Sequence, residues 1–407
     1  MPVDALLGLQ WGDEGKGKIV DYLAERYQLI VRFGGGPNAG HTIENHLGKL
    51  VLNQLPSGIL YTHTLNLLGA GMVIDIPKLL LEIAKVQNMG IKTTGRVLIA
   101  REAHLILPTH IKLDVQAEES SAQNIGSTKR GIGPTYVDKV GRKGLRVGDI
   151  FEGNFRSTLR NLLSFHATKL PQKTFISDWL IQVDAFKELV ASGAIRIVES
   201  VGYLHDHLRA GSSILAEGAQ GALLDINFGT YPYVTSSSTV SGGICTGLGI
   251  PPQAINKVIG ITKAYTTRVG NGPFPTELSC ETGTRLQVLG GEKGATTGRL
   301  RRCGWLDLPL LAQAIKLTGT TELVVTKLDI LKQFAEYKIC VAYEQKGKLL
   351  NEFPMYLDHV TPVYQSYNHD TPLREVMMEH LRELGCRDVR IKYESNGPHR
   401  EEITVYA

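Results

Sequence analysis

The sequence predicts an α/β protein with a mainly parallel central sheet that helices cover on both faces. Two observations support this prediction: short, continuous apolar runs recur along the chain, and amphipathic stretches with helical spacing separate most of them. Strands that are apolar throughout are typical of a parallel sheet whose two faces are both buried. The runs lie at residues 5–7, 29–31, 65–68, 97–99, 214–215, 258–261 and 323–325.

Length and composition restrict the function classes. A chain of 407 residues can bury a large core, and it contains neither an internal repeat nor a Pro/Ser linker. We therefore expect one domain over 1–407 with subdomains, of which about 100–210 is a largely helical insertion. The net charge of +4 is too balanced for sequence-independent nucleic-acid binding. No apolar run approaches the roughly 18 residues that span a bilayer, so we expect no membrane partner. The five cysteines form no C-x-x-C pair, which favours a cytoplasmic location.

The first apolar run leads into a Gly/Lys loop, Gly12-Asp13-Glu14-Gly15-Lys16-Gly17-Lys18, and then into a helical pattern. The G-x-x-x-x-G-K spacing is typical of a phosphate loop whose N–H groups wrap phosphate oxygens at a helix start. The sequence therefore predicts a P-loop-NTPase-like sheet with a variant loop, because Ile19 stands where Ser or Thr would hold Mg²⁺. Asp13 is the alternative oxygen ligand. It is also a candidate for chemistry, because a carboxylate beside phosphates is unfavourable unless a cation or a proton transfer compensates it.

Five long, Gly-rich polar stretches interrupt the pattern, at 34–41, 126–144, 217–249, 269–277 and 290–304. Stretches of this kind are usually binding loops, so we expect a large site. The first of them leads into Asn38-Ala39-Gly40-His41-Thr42, which we interpret as the second βα turn. Because the carboxyl ends of parallel strands meet at one edge, His41 is expected to approach Asp13.

The string Thr326-Lys327-Leu328-Asp329 follows a buried-looking strand. A carboxylate there can accept hydrogen bonds from N1–H and the 2-amino group of guanine, while the Lys stem covers the ring. A wrong base leaves buried groups unpaired at about 1–3 kcal/mol each, which favours GTP over ATP. A second cluster, residues 294–302, combines hydroxyls with three guanidiniums and suits an acidic substrate. An exposed basic turn is the alternative for that cluster and for the basic loop 128–143.

Taken together, these strings resemble the adenylosuccinate synthetase family over nearly the whole chain. The motifs appear in the family's order: Q-W-G-D-E-G-K-G-K at 10–18, N-A-G-H-T at 38–42, G-I-G-P-T-Y at 131–136, E-G-A-Q-G at 217–221, G-T-Y-P-Y-V-T at 229–235, G-A-T-T-G-R at 294–299, G-W-L-D at 304–307 and T-K-L-D at 326–329.

The resemblance implies a ligase that phosphorylates the 6-oxygen of IMP with GTP and then lets the aspartate amine displace phosphate. It implies catalytic roles for Asp13, His41 and Lys16, and Mg²⁺ held by Asp13 and Gly40. By the same resemblance, GTP would contact Gly12, Glu14, Gly15, Gly17, Lys18, Gly40, Thr42, Arg301, Lys327, Asp329, Ser395 and Gly397. IMP would contact Asp13, Asn38, Thr128, Arg142, Gln220, Thr235 and Arg299, and aspartate would contact Thr296, Thr297, Arg299 and Arg301.

A homodimer is implied as well, because Arg142 matches a position that reaches IMP bound to the neighbouring subunit. The chain departs from the family's pattern at Lys129, where Gly is usual, at Leu300, where a basic residue is usual, and in a shortened stretch between 363 and 375. These departures leave open a divergent paralogue that acts on another purine nucleotide, such as a deoxy or guanine monophosphate. A GTP-binding switch module is a further alternative, but it gives no purpose to Asp13.

Overall fold

The computed structural model describes residues 3–120, 124–170, 174–294, 298–354, 356–357 and 359–407. The strands are β1 Val3–Gly8, β2 Leu29–Arg32, β3 His41–Asn45, β4 Gly48–Leu52, β5 Leu65–Leu68, β6 Val73–Ile74, β7 Val97–Ala100, β8 His104–Leu105, β9 Ile195–Val198, β10 Ile214–Gly221, β11 Ile255–Lys263, β12 Thr266–Arg268, β13 Arg302–Gly304, β14 Leu306–Asp307, β15 Glu322–Thr326, β16 Glu336–Gln345, β17 Lys348–Leu350, β18 Thr361–Asn368, β19 Arg390–Ser395 and β20 Ile403–Val405.

The helices are α1 Lys16–Leu23, α2 Ile76–Asn88, α3 Pro108–Ser120, α4 Ile132–Val140, α5 Phe155–Ala167, α6 Ser177–Ala191, α7 Ser200–Arg209, α8 Ser241–Leu248, α9 Glu281–Leu289, α10 Leu308–Thr318, α11 Leu328–Leu331 and α12 Leu373–Glu383. Short 3₁₀ turns lie at Ala24–Arg26, Ser57–Leu60, Gly148–Phe151, Ala222–Leu224 and Pro252–Ala254. Over the described ranges, no helix combines the length and apolarity that crossing a membrane requires.

The centre of the fold is a ten-stranded sheet in the order β20-β19-β15-β11-β1-β10-β2-β5-β7-β9. Every neighbouring pair is parallel except β19 with β20, which is antiparallel. All seven apolar runs singled out in the sequence are strands of this sheet. The predicted mainly parallel α/β class is therefore confirmed.

Alternate residues of β1 show how both faces of the sheet are covered. Leu6 packs with Ile19 and Leu23 of α1 on one face. Ala5 and Leu7 belong to a second cluster on the other face, where α7 and α8 contribute apolar residues. Successive side chains of a strand point to opposite faces, so a continuous apolar strand needs a helical layer on each side.

Residues 100–210 contain α3, α4, α5, α6 and α7 with the short strands β8 and β9. Trp179, Val183 and Phe186 of α6 are buried in a cluster with Ile83 and Val86 of α2. The segment returns to the sheet through β9, which pairs with β7 at its edge. It thereby places α3 and α4 beside the carboxyl edge of the central strands.

Two sequence interpretations are wrong. The segment after β2 is not a βα turn, because residues 41–52 form the antiparallel hairpin β3–β4 around a turn at Gly48, whose φ is 104°. Alternating apolar residues at Ile43, Leu50 and Leu52, all buried, explain the hairpin. The Gly-rich stretches 126–144 and 217–249 are also not loops throughout, because they contain α4 and α8.

Candidate active site

A cavity of about 750 Å³ opens at the carboxyl edge of the central sheet. It is bounded by the segments that follow β1, β2, β10, β11 and β15, together with α3 and α4. The cavity is large enough for nucleotide-sized ligands. The predicted site residues that line it are Gly12, Asp13, Gly15, Lys16, Gly17, Asn38, Gly40, His41, Thr42, Thr128, Gln220, Thr235, Arg299, Arg301 and Lys327.

Other predicted residues lie elsewhere. Glu14, Lys18, Asp329, Ser395 and Gly397 do not line the cavity, and Arg142 is exposed outside it. Thr296 and Thr297 lie outside the described residues. Arg302, the third guanidinium of the basic cluster, donates to Glu277 Oε1 at 2.7 Å and has a structural role on β13.

The phosphate loop is shaped by left-handed backbone conformations. Gly12, Asp13 and Gly15 have φ values of 90°, 60° and 96°. Gly15 is the N-cap of α1 and offers no side-chain cap, so the first N–H groups of the helix are left for a ligand. A Cβ on Gly17 would lie 2.7 Å from the Thr42 carbonyl oxygen, so only glycine allows α1 to pack this closely on β3.

Glu14 is fully buried and holds this loop from inside. Its Oε1 accepts from the backbone N–H of Gly12 at 2.8 Å and of Gln10 at 3.1 Å, and its Oε2 accepts from Lys16 Nζ at 2.6 Å. Burial alone would raise the pKa of Glu14, but the Lys16 ammonium and the N–H donors hold that pKa below its usual value. The Glu14 side chain therefore stabilises the conformation of the loop, and it orients Lys16 in the cavity wall.

His41 is buried between two acceptors. Its Nδ1 contacts Glu217 Oε1, and its Nε2 lies 3.2 Å from the Ala219 carbonyl oxygen. Glu217 is itself fully buried and accepts from Ser57 N–H at 2.8 Å and from Ser57 Oγ at 2.7 Å. The Glu217 carboxylate thus fixes the ring orientation and favours the Nδ1–H tautomer.

The charge state of His41 depends on two opposing effects. Burial lowers the pKa of His41, while its hydrogen bond to Glu217 and the charge of that carboxylate raise it, and the net pKa is below its usual value. An anion placed beside Nε2 would favour the imidazolium. His41 is therefore suited to take up a proton when an anionic ligand binds and to donate it inside the cavity.

Asp13 is paired with the basic cluster. Arg301 donates from Nε to Asp13 Oδ2 at 2.7 Å and from Nη1 to Glu292 Oε2 at 2.6 Å. Buried Glu292 also accepts from Lys263 Nζ at 2.9 Å and from Tyr265 OH at 2.6 Å. Burial would raise the pKa of Glu292, but Lys263 and Arg301 lower it to about 2. The network thus joins two carboxylates to two cations and presents one face of Arg301 to the cavity.

The far wall of the cavity is the segment 124–131, which helix α3 anchors. Asp114 accepts from the Gly131 N–H at 2.8 Å and from Ser127 Oγ at 3.0 Å. Arg299 Nη2 donates to the Gly126 carbonyl at 2.9 Å, which ties this segment to the basic cluster. Within the described residues, the amide group of Gln220 has no hydrogen-bond partner although it is buried, so it is placed to read a polar ligand.

Several residues of the site were not predicted from the sequence. Trp11 lines the cavity, donates to Thr230 Oγ1 at 3.0 Å and has the Arg268 guanidinium 4.7 Å from its ring centroid. Glu217 and Glu292 support His41 and Arg301 from behind. Glu217 lies within the E-G-A-Q-G string, so that motif could have identified it from the sequence. Glu292 lies in no motif.

His110, Asp138 and His166 form a buried cluster on α3, α4 and α5, although neither histidine stands in a sequence with metal-ligand spacing. Both Nε2 atoms meet Asp138 Oδ2, at 2.9 and 2.7 Å. The Leu107 N–H donates to His110 Nδ1 at 3.0 Å, so the ring proton is on Nε2. A metal at that atom would require an imidazolate. The cluster is therefore a hydrogen-bonded link between three helices rather than a metal site.

The parallel sheet, the phosphate loop at the start of α1 and the polar cavity define a nucleotide-dependent α/β enzyme. A sequence model described as adenylosuccinate synthetase matches residues 5–403. The chain is 49% identical to an adenylosuccinate synthetase of Christiangramia forsetii over 376 residues, covering 89% of this chain and 88% of the relative. It is 45% identical to one of Parabacteroides distasonis, covering 100% and 99%.

A solved structure titled as a fully ligated adenylosuccinate synthetase from Plasmodium falciparum matches with a TM-score of 0.91 and 35% identity over 100% of both chains. The chain belongs to the adenylosuccinate synthetase family. It is a C–N ligase that uses GTP to join IMP and L-aspartate in AMP biosynthesis. A cyanophage S-2L succinoaminodeoxyadenylate synthetase, solved with dGMP and dATP, shares the fold with a TM-score of 0.66 and 22% identity over 99% and 95% of the chains.

Proposed function

We propose that the ligation takes place in the cavity in two steps, through a 6-phosphoryl-IMP intermediate. The observation that carries this proposal is that one cavity holds a carboxylate, Asp13, and a histidine fixed by a buried carboxylate, His41. Asp13 accepts the N1 proton of IMP, which raises the negative charge on O6. His41 donates from Nε2 to an oxygen of the transferring phosphoryl group. Acid and base are thus two separate groups.

Binding of the triphosphate is assigned to the phosphate loop. The N–H groups of Gly15 and Gly17 face phosphate oxygens, whereas the Gly12 N–H donates to Glu14 and shapes the loop. Lys16 holds positive charge beside the phosphates while Glu14 orients its ammonium. Preorganised donors of this kind provide a large part of the rate in phosphoryl transfer. Thr42 and Gly40 complete this wall from the β3 side.

The donor set around Asp13 fits Mg²⁺. This cation takes hard oxygen ligands and is usually held by one or two carboxylates together with substrate phosphates and water. Asp13 and the Gly40 carbonyl line the cavity at the phosphate loop, and they would hold the ion. When bound, Mg²⁺ supplies positive charge for the phosphates.

IMP is assigned to the region between the phosphate loop and the segment 124–131, with Asn38, Thr128, Gln220, Thr235 and Arg299 as contacts. Support comes from the cavity lining and from the amide of Gln220, which has no partner among the described residues. The aspartate carboxylates are assigned to Arg299 and Arg301, whose guanidiniums bind carboxylates bidentately. Thr296 and Thr297 are proposed to join them.

Guanine is assigned to Lys327, Asp329, Ser395 and Gly397. Lys327 follows β15 in a left-handed conformation with φ 65° and donates to the Gly290 carbonyl at 2.8 Å. Thr326 donates to the Glu14 carbonyl at 2.9 Å. The end of β15, which leads into Lys327, and the phosphate loop are therefore joined directly. A triphosphate on the loop would therefore place its base toward these residues.

We further propose a homodimer in which Arg142 reaches the IMP site of the partner. Arg142 is exposed, outside the cavity of its own chain, and follows α4, on which Val137 and Val140 are 64% and 80% exposed. Val137 also lines the cavity, so this apolar surface begins at the cavity rim, and two exposed apolar side chains one turn apart there favour burial against another molecule. We also propose a cytoplasmic location, which agrees with five cysteines that are all free.

The reaction is tested by mass spectrometry on the purified chain with Mg²⁺ and GTP. GTP consumption should be negligible with GTP alone and should require both IMP and aspartate. Offering dIMP, GMP and dGMP in place of IMP identifies the purine. Turnover of GTP without IMP, or a product formed from dGMP but not from IMP, contradicts the proposal.

The shared site is tested by mixing two inactive variants, Asp13→Asn and Arg142→Leu. In a 1:1 mixture of exchanging dimers, half are mixed, and each mixed dimer has one site with both native residues. Activity should then recover to about a quarter of the parent. No recovery, despite exchange shown by native mass spectrometry, contradicts the role of Arg142.

A further inference from the structure

The second lysine of the phosphate loop, Lys18, does not face the cavity. Its Nζ donates to Ser395 Oγ at 2.7 Å, to the Gly397 carbonyl at 2.7 Å and to the Glu402 carbonyl at 3.3 Å. All three acceptors lie in the segment 395–402 that connects β19 to β20. An ammonium has three donors, so these contacts use its full hydrogen-bonding capacity and leave none for a phosphate.

A second cation, Arg400, holds the other end of the segment 395–402: its Nη2 donates to the Tyr22 carbonyl of α1 at 3.3 Å and to Glu25 Oε1 at 2.8 Å, and its Nε lies 3.5 Å from Asp21 Oδ2. The segment is closed on itself by Glu402, whose Oε2 accepts from the His399 N–H at 2.6 Å and whose carbonyl accepts from the Asn396 N–H at 3.0 Å. A Cβ on Gly397 would lie 2.3 Å from that carboxylate, so the turn is tight. Ser395 is buried, whereas His399 and Glu401 are exposed. The turn is thus compact, and Lys18 links its 395–397 end to α1 while Arg400 links its other end.

We infer that Lys18 is a positioning residue for recognition of the base rather than a phosphate ligand: it fixes the turn 395–402 beside Lys327 and Asp329. The inference rests on the proposed assignment of guanine to Lys327, Asp329, Ser395 and Gly397. Lys18 follows Lys16 by two residues on α1. The same short segment therefore supplies a phosphate donor through Lys16 and orients the turn 395–402 through Lys18. The motif spacing alone assigns Lys18 to phosphate, and the contacts of its ammonium contradict that assignment.

The charges that face Lys18 come from the turn 395–402 and from the start of α11. Glu402 and Glu401 of the turn and Asp329 of α11 favour its ammonium, while Lys327 opposes it. Burial is the largest effect, and it lowers the pKa of Lys18 to about 8. A neutral amine would lose one of its three donors, so the link should weaken as the pH rises through this value.

The test compares Lys18→Met and Lys18→Arg with Lys332→Met, a matched control at an exposed lysine just after α11. Initial rates are measured with GTP, ITP and ATP in the presence of IMP, aspartate and Mg²⁺. For Lys18→Met we expect at least a tenfold rise in KM for GTP, at least a tenfold loss of the GTP/ATP preference, and a KM for IMP within twofold of the parent. Arginine should restore part of the preference, and the control should match the parent.

A different result is expected if the Lys18 ammonium binds phosphate. If Lys18→Met lowers kcat/KM equally for GTP, ITP and ATP, the base preference is unchanged and the inference is overturned. Lys18→Gln keeps a hydrogen-bond donor on a side chain one atom shorter, so it tests the same link if Lys18→Met does not fold. It should weaken the GTP/ATP preference by about threefold, and an unchanged preference overturns the inference.

A pH series adds an independent measurement. The KM of the parent for GTP should rise above pH 8, and Lys18→Arg should abolish that rise. GTP consumption by the parent enzyme distinguishes failure of the proposed function from failure of the role of Lys18. If it does not consume GTP in an IMP- and aspartate-dependent manner, the proposed function fails. If it does, and the base preference of Lys18→Met is unchanged, only the role of Lys18 fails.

Discussion

The carboxylate behind His41 offers the sharpest test of the proposed chemistry. In the variant Glu217→Gln the side-chain volume is kept, but one of its two oxygens becomes an NH₂ donor. Oε1 meets His41 Nδ1 and Ser57 Oγ, and Oε2 meets the Ser57 N–H. If the NH₂ takes the Oε2 position it faces the fixed Ser57 N–H and leaves buried donors unpaired. If it takes the Oε1 position it is satisfied only when His41 Nδ1 carries no proton, which prevents the imidazolium that the proposed reaction requires.

The size of the effect follows from those contacts. An unsatisfied buried donor costs about 1–3 kcal/mol, which corresponds to a factor of roughly 5 to 150. Because His41 is proposed to act during phosphoryl transfer, this loss should appear in kcat. We expect kcat to fall by about 10 to 100 times, while the KM values for GTP and IMP change by less than threefold.

The pH profile provides a second measurement. Glu217 raises the pKa of His41 against the effect of burial, so its removal should lower that pKa. Activity that requires protonated His41 is lost as the pH rises through the pKa. The alkaline limb of the variant should therefore move to lower pH. Ser57→Ala is the control, since it removes one hydroxyl donor but leaves the carboxylate and should not move the limb. Activity within twofold of the parent, with an unmoved profile, would refute the reasoning.

Three further predictions concern other parts of the chain. Asp13→Asn should retain nucleotide binding by calorimetry but lower product formation by roughly 10²–10⁴-fold, because an amide cannot accept the N1 proton; substantial residual turnover would refute that role. Asp329→Asn should reduce the GTP/ATP ratio of kcat/KM by about 5 to 150 times, since one unpaired group costs about 1–3 kcal/mol; an unchanged ratio would remove the assignment. Burial raises the pKa of Asp307 to about 7, so its native state favours the neutral acid and stability falls as the pH rises from 4 to 7. Asp307→Asn should therefore gain stability relative to the parent over that interval, measured by urea unfolding, and a pH-independent difference would contradict it.

The sequence predicts most of the central sheet because apolar content is a local signal. The runs at 5–7 and 323–325 are strands, and the Gly/Lys loop leads into a helix, since each depends on a few adjacent residues. The hairpin β3–β4 was missed because its strands are half exposed and follow a Gly-rich segment that favours a ligand loop. Helix α4 was missed because Gly133 and Pro134 interrupt its apolar pattern, although Pro is tolerated in a first helical turn.

The arrangement of the site was harder to predict because its main contacts join residues far apart in the chain. His41 meets Glu217 across 176 positions, and Lys18 meets Ser395 across 377. A motif identifies the type of residue needed at a loop. It does not show which distant group that side chain will contact, and for Lys18 that contact changes the assigned role.

The pairing of Asp13 resolves a difficulty that its position raises. A carboxylate in a phosphate loop needs a compensating charge, and Arg301 provides one at 2.7 Å. Glu292, which also accepts from Lys263, holds the guanidinium in place. If Asp13 holds Mg²⁺ as proposed, its carboxylate would be shared between the ion and Arg301. Since Glu292 keeps its own contact, the guanidinium would stay at the cavity wall with its Nε donor less strongly bound to Asp13, in the position proposed for the aspartate carboxylate. Metal binding and aspartate binding are therefore expected to favour one another through a single arginine.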